Sequence, residues 1–415
     1  MTNKSLYYMM LGLQAGIPMR KSIGKQVTYL TFSSTKPFDI STNNQSKNWN
    51  GDLYYSTDKV TWDQWNGEST ILSMDCNGVH YVYMRGIGNT SITGNNNQAK
   101  WVLNGTDIRC DGNIENLLDY RVVVSGVSPT MADYCYRFMF RDCTSLTVAP
   151  ELPATMLSNF CYSSMFYNCT NLTTAPELPA TQLAAYCYSY MFYGCNNLLR
   201  VPALPAMTLA DGCCYDMFYN CTNLITAPGL PATTLASSCY YEMFYGCKSL
   251  ITAPVLPATT LAASCYQAMF RRCTGLTTAP QLPATTLTAE CYKMMFTECA
   301  SLTIAPALPA TELARNCYNN MFSGCVALTA LPELHATTLP DNCYLAMFAE
   351  CDSIKLSTSQ TDEYTIPYRI PVEGDGTAGS KSLQYMFTDT GGTFSDSPSI
   401  NTTYYLHNSH SIVQS

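Results

Sequence analysis

Two cysteines eight residues apart flank a Met-Phe pair in the stretch LPATTLAASCYQAMFRRCTGL, residues 256–276. Cysteine thiolates bind zinc or carry redox chemistry when they converge, so this pair is the first candidate for a reactive centre. On a helix, eight residues span about 12 Å along the axis, whereas zinc holds each thiolate at about 2.3 Å. One pair cannot hold a metal alone, and the expected role of both residues is burial, which suits cysteine well. Cys213-Cys214 is the one irregular pair and the strongest candidate for a reactive thiol, with an inert substitution as the favoured reading. The four histidines, His80, His335, His407 and His410, fall in no HExxH or nucleophile-elbow motif. Residues 374–379, GDGTAG, match GxGxxG but lack the strand-to-helix context that makes a phosphate cradle. We therefore expect no catalytic residue, no cofactor and no metal.

A second pattern suits binding rather than chemistry. The residue that follows each Met-Phe pair reads Arg141, Tyr167, Tyr193, Tyr219, Tyr245, Arg271 along the chain. An exposed tyrosine ladder presents flat apolar faces with hydroxyl tips, which fit sugar rings or protein hot spots. The expected ligand-binding set is Tyr167, Tyr193, Tyr219, Tyr245 and Arg271. The competing reading is that these rings only cover the flank between neighbouring tiles.

The elements that position these residues come from a period. First cysteines stand at Cys135, Cys161, Cys187, Cys213, Cys239, Cys265, Cys291, Cys317 and Cys343, and second cysteines at Cys143, Cys169, Cys195, Cys221, Cys247, Cys273, Cys299, Cys325 and Cys351. Every step is 26 residues; of the 21 cysteines only Cys76, Cys110 and Cys214 lie outside the pattern. A fixed period repeated nine times is the signature of stacked repeats. Within a tile, Leu261, Cys265, Met269 and Cys273 recur at i, i+4, i+8 and i+12, which predicts one apolar face of a helix of about three turns. Thr259 or Thr260 would cap it. The other half, LTTAPQLP at residues 276–283, predicts a short parallel strand that ends in prolines.

The flanks differ in composition. All four tryptophans, Trp49, Trp62, Trp65 and Trp101, precede the repeats. Alternating segments such as VTYLTF and VHYVYMRG, with turns at Asn50-Gly51 and Asn77-Gly78, predict an antiparallel β-sandwich over residues 26–112. Residues 113–127 would form a joint. Residues 353–415 would form a C-terminal cap and tail, in which SLQYMFTDTGG (382–392) copies half a tile. Residues 1–25 fit neither unit and read as a docking arm or a frayed terminus; the apolar run Leu6–Leu13 is short for a signal peptide.

The pattern MFxxCxxLxxAPxLPATxL resembles the BspA-like, or Treponema-type, leucine-rich repeat over residues 128–352. The expected class is thus α+β, an N-terminal β-sandwich followed by a curved right-handed β/α leucine-rich repeat solenoid of nine 26-residue repeats. Departures are Met for the family's usual Ala before Phe, and Ala-Pro where Ile or Val is commoner in the strand. With 13% charged residues, a net charge of -8 and no Lys/Arg cluster, no nucleic-acid partner is expected. No run of 18 apolar residues predicts membrane insertion. The resemblance implies a non-enzymatic binding protein. Tiles of this Tyr/Met/Cys type are similar to those of bacteriophages of gut Bacteroidetes. They imply a virion fibre or receptor-binding protein that contacts a cell-surface glycan or protein receptor and joins other virion proteins through its N-terminal region. The alternative is an adhesin on the bacterial cell surface, as in BspA-like proteins. A homo-oligomer is compatible with either, although no heptad run supports a coiled coil.

Overall fold

The computed structural model describes residues 29–95 and 99–414; the expected docking arm at residues 1–25 lies outside the described residues. Nine strands open the chain: β1 (Leu30–Ser34), β2 (Asp39–Thr42), β3 (Asp52–Ser56), β4 (Asp63–Trp65), β5 (Ile71–Leu72), β6 (Met74–Cys76), β7 (Val79–Ile87), β8 (Trp101–Asn104) and β9 (Ile108–Asp111). Alternation sets their faces: in β1 every second residue, Leu30, Phe32 and Ser34, is buried. One sheet runs β9-β1-β7-β3-β4, with β6 also on β7, and a second runs β5-β2-β8. They meet across aromatic rings, Phe32 at 6.2 Å from Trp101 and Trp65 edge-on to Trp101 at 5.4 Å.

The segment after β9 contains α1 (Asn116–Val124), the one α-helix among the described residues, broken in φ/ψ at Asp119. It lies so close to β7 that a Cβ on Gly86 would stand 1.7 Å from the Leu117 carbonyl oxygen, so only glycine fits there.

The expected three-turn helices are absent from the described repeats. In their place the Cys-to-Cys half of each tile is a chain of tight turns. Its amides alternate: Arg137, Met139, Arg141 and Cys143 donate back to the carbonyl three residues earlier, while Tyr134, Tyr136, Phe138, Phe140 and Asp142 donate to Asn159, Cys161, Ser163, Met165 and Tyr167 of the next tile. Every fourth residue takes positive φ, as at Ser238 (53°), Glu242 (47°) and Gly246 (69°), and again at Ser264, Ala268 and Arg272. The physical reason is in the spacing. An α-helix turns 100° per residue, so positions exactly four apart drift by about 40° per step and leave a common face within three steps. A backbone with one left-handed residue in four brings such positions back into line. The amides that a helix would use internally are then free to bind the neighbouring tile.

The proline half of the tile also departs from expectation. Regular strands form at its first copy, β10 (Leu146–Val148), which pairs in parallel with β9, and at β11 (Ala330–Pro332). Between them the tiles meet in isolated parallel bridges such as Thr226 with Thr252 and Thr252 with Thr278. The Ala-Pro and Leu-Pro pairs remove the donors that a continuous ladder needs. The architecture is therefore mostly β and turn, which replaces the expected α+β class.

Both ends of the array are covered. On the N-terminal side Ile92, Trp101 and Ile108 donate backbone amides to Cys135, Met139 and Ser145 of the first tile, at 2.8 Å each. On the C-terminal side Tyr344, Phe348 and Glu350 donate to Ser382, Met386 and Thr388, and Phe387 stacks on Phe348 at 5.5 Å. Six further strands follow β11: β12 (Thr338–Leu339), β13 (Lys355–Ser357), β14 (Tyr364–Arg369), β15 (Thr377–Ala378), β16 (Gly391–Gly392) and β17 (Thr403–His407). A last one, β18 (Ser411–Val413), runs parallel to β11. The polar C-terminal stretch is thus folded back, with β17 between β14 and β13 and buried His410 Nε2 accepting from the Lys355 amide at 3.1 Å.

Candidate binding face

Stacking tiles at a fixed register places like residues in columns. The inner columns are Met, Phe, both cysteines, and the tyrosine that follows the first cysteine, all buried to within a few per cent. Phe218, Phe244, Phe270 and Phe296 stack at 5.7 Å with planes 6° apart. The second cysteine has a specific task. Its thiol donates to the phenylalanine carbonyl of the preceding tile, Cys169 to Phe140 at 3.0 Å, Cys247 to Phe218 at 3.2 Å and Cys351 to Phe322 at 3.1 Å. Burial pushes the Cys195 and Cys247 thiols up to about 12, so they stay protonated donors. Cys213 and Cys214, the irregular pair, are both buried with their sulfurs 3.8 Å apart, and Cys214 fills the gap in the inner tyrosine column between Tyr188 and Tyr240. No group of three or more His, Cys, Asp or Glu side chains among the described residues could hold a metal. GDGTAG begins as a surface bend held by Arg369, which bonds the Gly374 carbonyl and pairs with Asp375 at 2.8 Å, and continues into β15.

The sequence-predicted tyrosines form one column on the outside of the turns. Tyr167 stacks on Tyr193 at 4.5 Å, Tyr193 on Tyr219 at 4.5 Å and Tyr219 on Tyr245 at 4.3 Å, with planes 3–7° apart. The first three are half-buried, whereas Tyr245 is 9% exposed. Arg271 lies over Tyr245 with its guanidinium carbon 5.6 Å from the ring centre, and Arg272 approaches the same ring at 5.8 Å. Glu298 ties both down, at 3.5 Å from Arg271 and 2.8 Å from Arg272. At the other end Arg141 sits over Tyr167 at 5.0 Å. The five expected residues are thus brought together, and the column carries a guanidinium at each end, a placement favoured by the ring quadrupole.

Sequence reasoning missed the neighbouring columns. Tyr134, Phe160 and Tyr186 stack at 4.9 and 5.0 Å, and Tyr215 stacks on Tyr241 at 4.4 Å. Between the outer rings lie two acids, Asp216 and Glu242, in adjacent tiles and both at left-handed positions. Asp216 is 7% exposed and its buried Oδ1 has no hydrogen bond among the described residues; burial, with Glu242 nearby, raises its carboxyl to about 8. Glu242 is raised in the same direction by burial, against the pull of Tyr241 and Arg271. The missed signal was the four-residue spacing: residues 134, 138 and 142 share a backbone state, so their columns lie beside the tyrosine column. A helical reading scatters them.

The comparison with known families bears on the repeats. A model described as BspA type Leucine rich repeat region matches in six copies, over residues 128–250 and 213–329. No curated protein matches the chain.

Proposed function

The chain is a BspA-like leucine-rich repeat protein, and from that premise we propose that it is a non-enzymatic virion protein of a bacteriophage, a fibre or receptor-binding component. In this reading the nine tiles form a curved solenoid whose outer turn face binds a cell-surface glycan or protein, and the N-terminal β region joins the chain to other virion proteins. The observation that carries the binding role is the tyrosine column from Tyr167 to Tyr245, closed at its ends by Arg141 and Arg271. Stacked rings already held in place lose little conformational entropy when a ligand lands on them. The thiols support assembly inside a reducing cell, since the second cysteines serve as S–H donors to carbonyls and the 21 cysteines are free.

The family supports a second reading, an adhesin on the bacterial surface that uses the same face. Mass spectrometry of purified particles and of the outer-surface fraction of the source culture separates the two. Recovery at stoichiometric abundance in virions is the expected result, and recovery only on cells overturns the virion assignment. Binding of the purified chain to whole host cells tests the role shared by both readings.

A further inference from the structure

At the N-terminal end of the tyrosine column the outer surface opens into a groove of about 330 Å³. Its walls are the ring pair Phe160–Tyr186 on one side and Tyr167 on the other, and Arg137 and Arg141 line it. Its floor is Ser163, Ser164 and Ser189, all buried, with the Ser189 hydroxyl 2.9 Å from that of Ser163. The groove exists because serine occupies two successive tiles at a position where later tiles place Tyr215 and Tyr241. Tyr190, 5.4 Å from Tyr215, marks where it closes.

We propose that this groove binds an acidic sugar residue, a hexuronate unit of a glycan whose chain continues along the tyrosine column. The size fits a small ligand. The stacked rings of the walls turn apolar edges to the groove, against which the C–H groups of a pyranose ring pack, and a guanidinium receives its carboxylate with two parallel N–H donors. Arg141 is held over Phe138 at 5.2 Å and over Tyr167 at 5.0 Å. Among the described residues its buried Nε has no hydrogen bond, and its one ion contact is Asp142 at 3.6 Å. Asp142 in turn pairs more closely with Lys100, at 2.8 Å, so the cations at this end outnumber the carboxylate they share. Arg137 adds a second guanidinium, stacked on Phe138 at 4.5 Å. A free acidic peptide would use the arginines but not the apolar ring edges of the walls.

This inference rests on the proposed binding face, and its test separates the two. Calorimetric titration of the full chain with tri-galacturonate, with its carboxyl-reduced neutral counterpart and with tetra-aspartate is expected to show tri-galacturonate at least about tenfold tighter than either. Arg141→Gln should weaken tri-galacturonate binding by about tenfold or more at an unchanged melting temperature, and Arg141→Lys, which keeps the charge but not the fork, should also weaken it. Equal binding of the reduced trisaccharide, preference for tetra-aspartate or no binding of tri-galacturonate overturns the proposal. If such a chain still binds host cells, the binding face stands and only the acidic-sugar assignment falls. If it binds tri-galacturonate but not cells, the groove stands and the receptor role falls.

Discussion

Cysteine recurs at the second tile position because one small side chain meets two demands there, filling a dry core and donating to the carbonyl of a phenylalanine in the tile before. Replacing Cys247 by alanine leaves the Phe218 carbonyl without that donor, and urea unfolding should register a loss of about 1–3 kcal/mol. Protonated and buried, these thiols are also unreactive. A thiol reagent at pH 8 should modify Cys76, the exposed one, in the native chain and all 21 cysteines after denaturation; rapid native labelling within the repeats would contradict the packing. Asp216 makes an opposite claim about charge. Its folded carboxyl titrates near 8 against an ordinary 3.8, so the native state holds the proton more tightly than the unfolded state. The associated stability is present below about pH 4 and is lost as pH rises to about 8, and Glu242 adds in the same direction. Asp216→Asn removes the charge and suits the left-handed backbone, as Asn320 does four tiles further on at φ 53°. Thermal melts of this variant should show a flatter pH profile and a gain of roughly 1–3 kcal/mol at pH 8; an unchanged profile would mean that Asp216 ionises freely.

At the scale of elements, the repeat length, the inner columns and the flanking β region were all legible, because buried cysteine, methionine and phenylalanine recur without a slip and strand alternation is a local property. The tile's backbone was not. Leu261, Cys265, Met269 and Cys273 satisfy a short helical template, and only the unbroken spacing of four tells a turn chain from a helix. The positive φ values fall on residues as unlike as Glu242, Ala268 and Met294, so composition at that position carries no turn signature. They are tolerated because each such residue spends its amide on the next tile: Glu242 donates to Gln267 at 2.9 Å and Ala268 to Lys293 at 2.8 Å. The tyrosine column was readable for the same reason as the core columns, whereas Arg137 and the serine floor were not, since their grouping depends on which turn faces outward. Far-UV circular dichroism distinguishes the two backbones. The turn chain predicts a spectrum with little α-helical signal, and a strong helical double minimum would restore the helices expected from periodicity.

For the whole molecule, stability comes from tile upon tile, so the exposed end faces matter most. The C-terminal segment presents Met386 and Phe387 to the last tile, both fully buried. Truncation after residue 352 uncovers Met347 and Phe348 and should lower the melting temperature and promote association, readable by calorimetry and light scattering. The ends also frame the proposed face, which runs from the arginines near the β region to Arg271 without interruption of the ring stack. The most direct measurement is binding of the purified chain to whole host cells, wild type against Tyr193→Ala/Tyr219→Ala, with thermal melts of both. Binding weakened by about tenfold or more in a variant that melts as a folded protein is the predicted result; undiminished binding by that folded variant would contradict the tyrosine column as the recognition surface.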